Sequence, residues 1–349
     1  MPELLSFEEA LKDAKGQDGK CHVLLGNGFS IGAHKAFAYG TLYRQAKAAG
    51  LPPHVIQMFD RYGTTNFEEI LKLLDEGQWL AAHYKLQATD ASRDMATDYI
   101  AVRNALVDAI ANSHPEVPDD VGETKLRSCR AFLEPFDDVL TTNYDLLLYW
   151  SSLRAETFDF EDGFGREPDT PDTYCIHLPA STGNRHLYFL HGALHLTTVG
   201  GEVRKFVWNT TGVRLIEQVR SALEAKEYPL VVSEGKSSDK LRRIEASSYL
   251  SWAFRRFENM QGSLFTYGWG VSEQDDHLLD AIAKNVSLSR LYVGVYGNPE
   301  DEDNQKMIAR AEGLAGRHNE VLATGRKGRR MKSGALEVKF FDATTAKVW

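Results

Sequence analysis

Polar side chains that could do acid–base chemistry follow two short apolar segments of the chain. The run TTNYD (141–145) comes after the first segment, and the pair HG (191–192) comes after the second. Both segments are predicted to be strands, and ligands of open parallel sheets collect at the carboxyl ends of strands. We therefore expect Asn143, Asp145 and His191 to serve a ligand site. An imidazole and a carboxylate can move protons there, and an amide can orient a ligand.

Each of these side chains also has a structural explanation. The amide and carboxylate of TTNYD precede LLLYW at helical spacing, so they could cap a helix. His191 could bond to backbone groups at its strand end. Together with His177, His186 and His195 it raises the question of a metal, but the successive spacings of nine, five and four fit no standard zinc ligand set. We expect no metal site.

A glycine-rich loop follows the first predicted strand, 21–25. It reads GNGFSIG over residues 26–32, and a helical pattern comes next. Glycines let backbone N–H groups approach an anion closely, and a following helix adds partial positive charge. The spacing is GxGxxxG rather than GxGxxG, and residues 50–54 read GLPPH where a dehydrogenase would carry an acidic residue. A nucleotide site and a tight strand-to-helix turn both remain open, whereas a standard dehydrogenase site is disfavoured.

Short apolar segments alternate with longer helical patterns along the chain. Strands are predicted at 21–25, 137–141, 187–191, 229–233, 263–268, 290–296 and 337–341. Helices are predicted at 36–48, 67–84, 92–113, 121–134, 211–226, 238–260, 273–285 and 303–317. The strands lack strict alternation, which indicates burial on both faces. The pattern predicts an α/β fold with a Rossmann-like, mostly parallel sheet flanked by helices.

Two stretches interrupt this alternation. Residues 50–135 contain helical patterns and no convincing strand, so we expect a helical insertion after the first βα unit. Residues 155–184 are rich in carboxylates, Gly and Pro, which is typical of a surface loop. We expect one domain over residues 1–349 that carries the 50–135 subdomain.

Composition narrows the class of protein. The chain has 349 residues, 43% of them hydrophobic, which excludes wholesale disorder. A net charge of −9 disfavours general binding to nucleic acid, leaving only the basic run 326–332 as a local contact. Three scattered cysteines exclude a four-cysteine zinc site. We see no signal peptide and no transmembrane segment, so we expect a cytoplasmic protein without membrane contacts.

The motifs GNGFS, TTNYD and HG, in this order and at these strand ends, resemble the sirtuin signature. The resemblance extends to Gly268 in TYGWG, where sirtuins have a glycine-containing loop against the cofactor. The run NFE (66–68) before ILKLL, and YGWGVSEQDD (267–276), are more similar to bacterial sirtuin-like families of phage-defence systems. The resemblance covers roughly residues 20–35 and 136–300.

The resemblance implies NAD as the substrate and roles for particular residues. His191 would be the general base, Asn143 would orient the water or the ribose, and Asp145 would contact the carboxamide or the developing positive charge. The cofactor would be held by the glycine loop, by neighbours of the catalytic residues and by the loop after strand 263–268. These residues are Gly26, Asn27, Gly28, Phe29, Ser30, Thr142, Tyr144, Gly192, Tyr267, Gly268 and Trp269.

Two departures from the sirtuin pattern decide which activity is expected. The second motif has TTN in place of TQN, and the four-cysteine zinc module of protein deacylases is missing. We therefore expect an NAD glycohydrolase that releases nicotinamide and ADP-ribose, acting as an effector of bacterial antiviral defence. A homo-oligomer or a partner would control it. A non-catalytic NAD or ADP-ribose sensor, an ADP-ribosyl transferase and a deacylase remain alternatives.

Overall fold

The computed structural model describes residues 2–16, 19–85, 89–153, 160–167, 170–171, 173–179, 185–208, 211–324 and 335–349, with the backbone alone for residues 89–93. The basic run 326–332 lies outside the described residues. Parts of the acidic segment 155–184 do too.

Eleven strands are found in the described residues. They are β1 (Leu4–Leu5), β2 (Cys21–Leu25), β3 (Asp138–Thr141), β4 (Phe164–Gly165), β5 (Tyr174–His177), β6 (His186–Phe189), β7 (Leu196–Val199), β8 (Glu202–Phe206), β9 (Gly262–Tyr267), β10 (Leu288–Val295) and β11 (Glu337–Asp342). Seven of them make one sheet in the order β1-β11-β10-β9-β2-β3-β6, in which every pair of neighbouring strands is parallel. The predicted α/β fold with a mostly parallel sheet is confirmed.

The strand order explains where a ligand would bind. Strand β2 lies inside the sheet, between β3 and β9. The chain runs from β2 outward through β3 to β6 and then returns to β9 on the other side of β2, which is the Rossmann order. Leu24 of β2 pairs with Leu140 on one side and with Thr266 on the other. The switch point of the fold, where such sheets bind ligands, therefore lies between the carboxyl ends of β2 and β9.

Fourteen α-helices surround the sheets in the described residues. They are α1 (Phe7–Lys15), α2 (Asn27–Ala33), α3 (Tyr39–Ala48), α4 (Pro53–Tyr62), α5 (Phe67–His83), α6 (Thr89–Ser113), α7 (Pro118–Val121), α8 (Glu123–Leu133), α9 (Leu147–Leu153), α10 (Leu215–Glu224), α11 (Ser237–Glu245), α12 (Ser248–Glu258), α13 (Asp276–Lys284) and α14 (Glu302–Thr324). Short 3₁₀ helices lie at Lys35–Phe37, Glu273–Asp275 and Ala343–Ala346. No described helix has the length and apolar character needed to cross a bilayer.

The stretch 50–135 contains α4 to α8 and, among its described residues, no strand. Helix α5 begins where Asn66 accepts a hydrogen bond from the backbone N–H of Glu68. Its buried residues include Phe67, Ile70, Leu71 and Leu74, which join the same core as the strands. This helical layer therefore packs directly onto the sheet domain.

Parts of the sequence prediction need correction. The single helix predicted at 238–260 is two helices, α11 and α12. The acidic segment 155–184, expected to be a surface loop, contributes β4 and β5 to a second, antiparallel sheet of order β4-β5-β8-β7. The hairpin of β7 and β8 in that sheet was not predicted. The segment 229–233, expected to be a strand, supplies only one bridge, between Val231 and Gly192.

Candidate functional site

A cavity of about 200 Å³ lies at the switch point of the sheet. Its polar wall consists of side chains from loops and helix starts: Asn27, Asn66, Glu68, Thr142, Asn143, Asp145, His191, Lys240, Ser272 and Asp275. Its apolar and aromatic wall consists of Phe37, Tyr39, Leu42, Leu106, Ile110, Tyr144 and Trp269. Helices α5 and α6 of the helical layer therefore supply part of the wall, through Glu68, Leu106 and Ile110.

Two glycine-containing loops meet at the floor of the switch point. The N–H of Gly26 donates to Tyr267 O at 3.0 Å, and the N–H of Gly28 donates to Gly268 O at 2.8 Å. A Cβ at position 28 would stand 2.6 Å from Gly268 Cα, and Gly268 itself has a φ of +64°. Glycine is needed here because two backbones touch. These two N–H groups bond to the protein and are not directed at a ligand anion.

Asn143, Ser30 and Asp145 form one buried hydrogen-bonded group. The Nδ2 of Asn143 donates to Gly26 O and to Ser30 Oγ, both at 2.9 Å. The hydroxyl of Ser30 in turn donates to Asp145 Oδ2 at 2.5 Å. This group ties the glycine loop to the TTNYD run, and Oδ1 of Asn143 is the amide atom left for a ligand.

Asp145 combines a capping role with a place in the cavity wall. Its Oδ1 accepts from the N–H of Leu147 at 2.9 Å, at the start of α9. Burial raises the pKa of Asp145, while the bonds from Ser30 and Leu147 oppose that rise. The helix-cap explanation of this residue is thus correct, and the residue still lines the cavity.

His191 is bonded to a second histidine that the sequence analysis did not single out. The two Nε2 atoms of His191 and His277 are 2.9 Å apart, and both side chains are buried. Burial lowers the pKa of His191 well below its ordinary value, and the nearby ammonium of Lys240 adds to this effect. Burial likewise lowers the pKa of His277 to about 4. Both rings are neutral near pH 7, and Nδ1 of His191 is the nitrogen left for a ligand.

A buried ion network forms the wall next to these histidines. The Nζ of Lys240 donates to Glu68 Oε2 at 2.9 Å and to Asp275 Oδ1 at 3.0 Å. The other oxygen of Asp275 accepts from Trp269 Nε1 at 2.9 Å. Burial alone would lower the pKa of Lys240, but the two carboxylates raise it above its ordinary value. Lys240 is therefore a cation whose charge is already balanced inside the protein.

One group of residues has the proximity that a metal ion needs. His191, Asp275 and His277 each offer an atom within 4.8 Å of the others, and no other such group of three occurs among the residues that the structure describes. However, both oxygens of Asp275 are bonded, and one of them faces the ammonium of Lys240. A divalent ion would be repelled there, so this site does not fit a metal. His177, His186 and His195 do not form such a group.

The structure places the predicted site residues in two sets. Those that line the cavity are Asn27, Thr142, Asn143, Tyr144, Asp145, His191, Gly268 and Trp269. Those that do not line the cavity are Gly26, Gly28, Phe29, Ser30, Gly192 and Tyr267. Gly192, for example, has a φ of +77° in a turn against the backbone of Leu230. The cavity also contains Glu68, Lys240 and Asp275, which were not predicted as site residues.

Comparison with protein families matches residues 23–349 to the family described as Domain of unknown function (DUF4917). No curated protein matches the chain. The matched range contains every residue of the cavity wall. The family description assigns no activity, so the function has to be argued from the chemistry of the cavity.

Proposed function

We propose that this chain, which belongs to the DUF4917 family, hydrolyses NAD to nicotinamide and ADP-ribose. The observation that carries the proposal is the convergence of Asn143, Asp145 and His191 on one cavity at the switch point of a Rossmann-like sheet. This is where such folds bind dinucleotides. Asn27 and Trp269, from the two loops that the sirtuin resemblance assigns to the cofactor, line the same space.

The charge of the cavity suits the bond that would break. The nicotinamide ring of NAD is cationic and leaves as a neutral molecule, so positive charge develops on the ribose in the transition state. Three carboxylates, those of Glu68, Asp145 and Asp275, line the cavity, against one ammonium that is already paired. Positive charge on the ribose would favour the ionised form of these acids and be stabilised by them.

His191 and Asn143 would act on the attacking water. The water oxygen bonds to the ribose carbon, and the electron pair of the C–N bond returns to the nicotinamide ring. The proton of the water passes to Nδ1 of His191, which acts as the general base. Oδ1 of Asn143 accepts a hydrogen bond from the water and holds it in line, since the amide nitrogen is already bonded to Gly26 and Ser30.

The cavity would receive only the nicotinamide–ribose half of NAD. Its volume of about 200 Å³ is below the roughly 300–1,000 Å³ of pockets that enclose drug-sized ligands. The N–H groups of Gly26 and Gly28, in the loop expected to approach an anion, bond to carbonyl groups of the protein instead. The phosphates would then lie outside. We expect nicotinamide mononucleotide, which has the same nicotinamide–ribose half, to be cleaved as well.

The test is incubation of the purified chain with NAD, followed by chromatography for nicotinamide and ADP-ribose. His191→Ala should lower kcat by roughly 10²–10⁴-fold, the usual contribution of a general base. His54→Ala is the matched control, because this histidine is 63% exposed and lies outside the cavity wall. Wild-type turnover by His191→Ala, or no turnover by any form of the chain, would refute the proposed hydrolysis.

A second candidate is a sensor that binds NAD or ADP-ribose without cleaving it. The observation that favours it is the internal bonding of Asn143 and Asp145, whose amide hydrogens and carboxylate oxygens all have protein partners. Calorimetric titration with NAD distinguishes the candidates. Saturable binding without product over hours indicates a sensor, and binding with release of nicotinamide indicates the hydrolase. Control of either activity by self-association or by a partner in antiviral defence stays a proposal from the sirtuin resemblance.

A further inference from the structure

We infer that His277 is a positioning residue that holds His191 in the form able to accept a proton, an inference that rests on the proposed hydrolysis. The two Nε2 atoms are 2.9 Å apart, and the ring centroids are 5.1 Å apart with planes inclined by 29°. This is an end-to-end hydrogen bond between two imidazoles. Both side chains are at most 5% exposed, so water does not compete for the bond.

The bond between the rings couples the proton positions of the two histidines, because one Nε2 must donate and the other must accept. A neutral imidazole has one N–H and one acceptor nitrogen, so only one of the two Nε2 atoms is protonated. If His191 donates from Nε2, its Nδ1 is an acceptor, as a general base requires. His277 then accepts at Nε2 and is protonated at Nδ1.

Ser237 extends this chain of bonds at the far side of His277. Its Oγ lies 3.0 Å from Nδ1 of His277 and accepts the backbone N–H of the same residue at 2.6 Å. A hydroxyl has two acceptor lone pairs, so it can accept both N–H groups. The chain of bonds from His191 through His277 to Ser237 joins the cavity to the first residue of α11.

Asp275 would complete the arrangement once His191 has taken up the proton. The newly formed imidazolium needs a nearby negative charge, because burial disfavours the charged ring. A carboxylate oxygen of Asp275 lies within 4.8 Å of a ring nitrogen of each histidine. Its bonds to Lys240 and Trp269 hold that carboxylate in place. His277, which does not line the cavity, would thus act through His191 without touching the substrate.

Two substitutions at position 277 separate positioning from simple packing. His277→Leu removes the acceptor for His191, and His277→Gln keeps an amide oxygen that can accept the same bond. We expect His277→Leu to lower kcat by roughly 10-fold or more, part of what a general base supplies, with a KM for NAD close to that of the wild type. His277→Gln should restore most of kcat. An unchanged kcat in a folded His277→Leu, or a rise in KM alone, would overturn the inference.

A double-mutant cycle with His191→Ala tests whether His277 acts through His191. If it does, adding His277→Leu to His191→Ala should cause little further loss of activity. A further loss as large as that in the wild-type background would show an independent, structural role and overturn the inference.

Nitrogen NMR of the histidine rings shows which nitrogen of His191 carries the proton and needs no NAD cleavage. The inference can therefore fail separately from the proposed hydrolysis. In the wild-type chain at pH 7.5 we expect His191 to be protonated at Nε2 and bare at Nδ1. In His277→Leu we expect this preference to weaken. A wild-type His191 protonated at Nδ1 would overturn the inference even if NAD is cleaved, because that nitrogen could not serve as the base.

Discussion

Replacing Lys240 with methionine should remove the charge that balances two buried carboxylates. The Lys240 side chain is 1% exposed, and its Nζ lies 2.9 Å from Glu68 Oε2 and 3.0 Å from Asp275 Oδ1. Methionine fills similar space but leaves both acids without their cation. Breaking a buried ion pair by removing one partner costs about 3–5 kcal/mol, which is a large part of the usual 5–15 kcal/mol of folding stability. We expect a loss of that size in the free energy of unfolding at pH 7.5.

Urea denaturation of the two forms measures this loss, and its pH dependence tests the cause. Without Lys240 the folded-state pKa values of the acids rise above their unfolded values, so the folded chain takes up protons first as pH falls. The difference from the wild type should therefore shrink between pH 8 and pH 5. Adding Glu68→Gln to the variant should recover part of the stability, because one unbalanced charge disappears.

Lys236→Met is the matched control, because this residue lies next to the start of the same helix and its ion pair with Asp75 is about one-third exposed on each side. Exposed pairs contribute at most about 1 kcal/mol. If Lys240→Met costs no more than this control, or if its cost does not change with pH, the assignment of a charge-balancing role to Lys240 is wrong.

Three further outcomes are expected. Gly28→Ala should lower the free energy of unfolding by about 1–3 kcal/mol in urea titrations, because its Cβ would stand 2.6 Å from Gly268 Cα. Burial holds the pKa of His114 at about 4, below the 6.5 of an exposed histidine. The free energy of unfolding should therefore fall by roughly 3 kcal/mol as pH drops from 6.5 to 4. The variant His114→Gln should lose that part of the acid sensitivity. Elemental analysis should find no stoichiometric zinc, and chelators should leave the melting temperature unchanged.

The positions of the central strands could be predicted from the sequence, because short runs of apolar residues are typical of strands in a parallel sheet. Strand β2 matches the prediction at 21–25, and all five of its residues are buried. Runs of Val, Leu and Phe buried on both faces are typical of strands inside a parallel sheet. The order of those strands in the sheet was not predictable from such runs, because every buried strand has the same apolar character.

The wrong predictions fall on segments whose local sequence pattern favours one structure while tertiary contacts or a helix cap impose another. The segment 229–233 is as apolar as a strand, but it packs beside the turn at Gly192 and makes one bridge. The predicted helix 238–260 is two helices, because Ser247 caps α12 by accepting the N–H of Leu250. The hydrophobic pattern continues across that break, and a serine inside such a pattern is a weak signal for a new helix.

The site residues found at the strand ends could be predicted, and those on helices could not. Asn143, Asp145 and His191 follow strands whose ends meet at one edge, so their positions follow from the fold class. Glu68 and Asp275 look like ordinary acids beside helix starts, where they interact favourably with the dipole. Nothing in their local sequence indicates that two such starts converge on a cavity.

Lys240 shows what a sharper sequence argument could have used. It lies four residues before Ile244 on α11, so both residues share one helix face, and both are buried. A lysine on the apolar face of a helix is rare unless a carboxylate balances it. Its position therefore predicts a buried acid from elsewhere in the chain, while only the strand order and the packing of α5 identify that acid as Glu68. A charged residue on an apolar helix face, taken as half of an ion pair, thus indicates a buried polar cluster from the sequence alone.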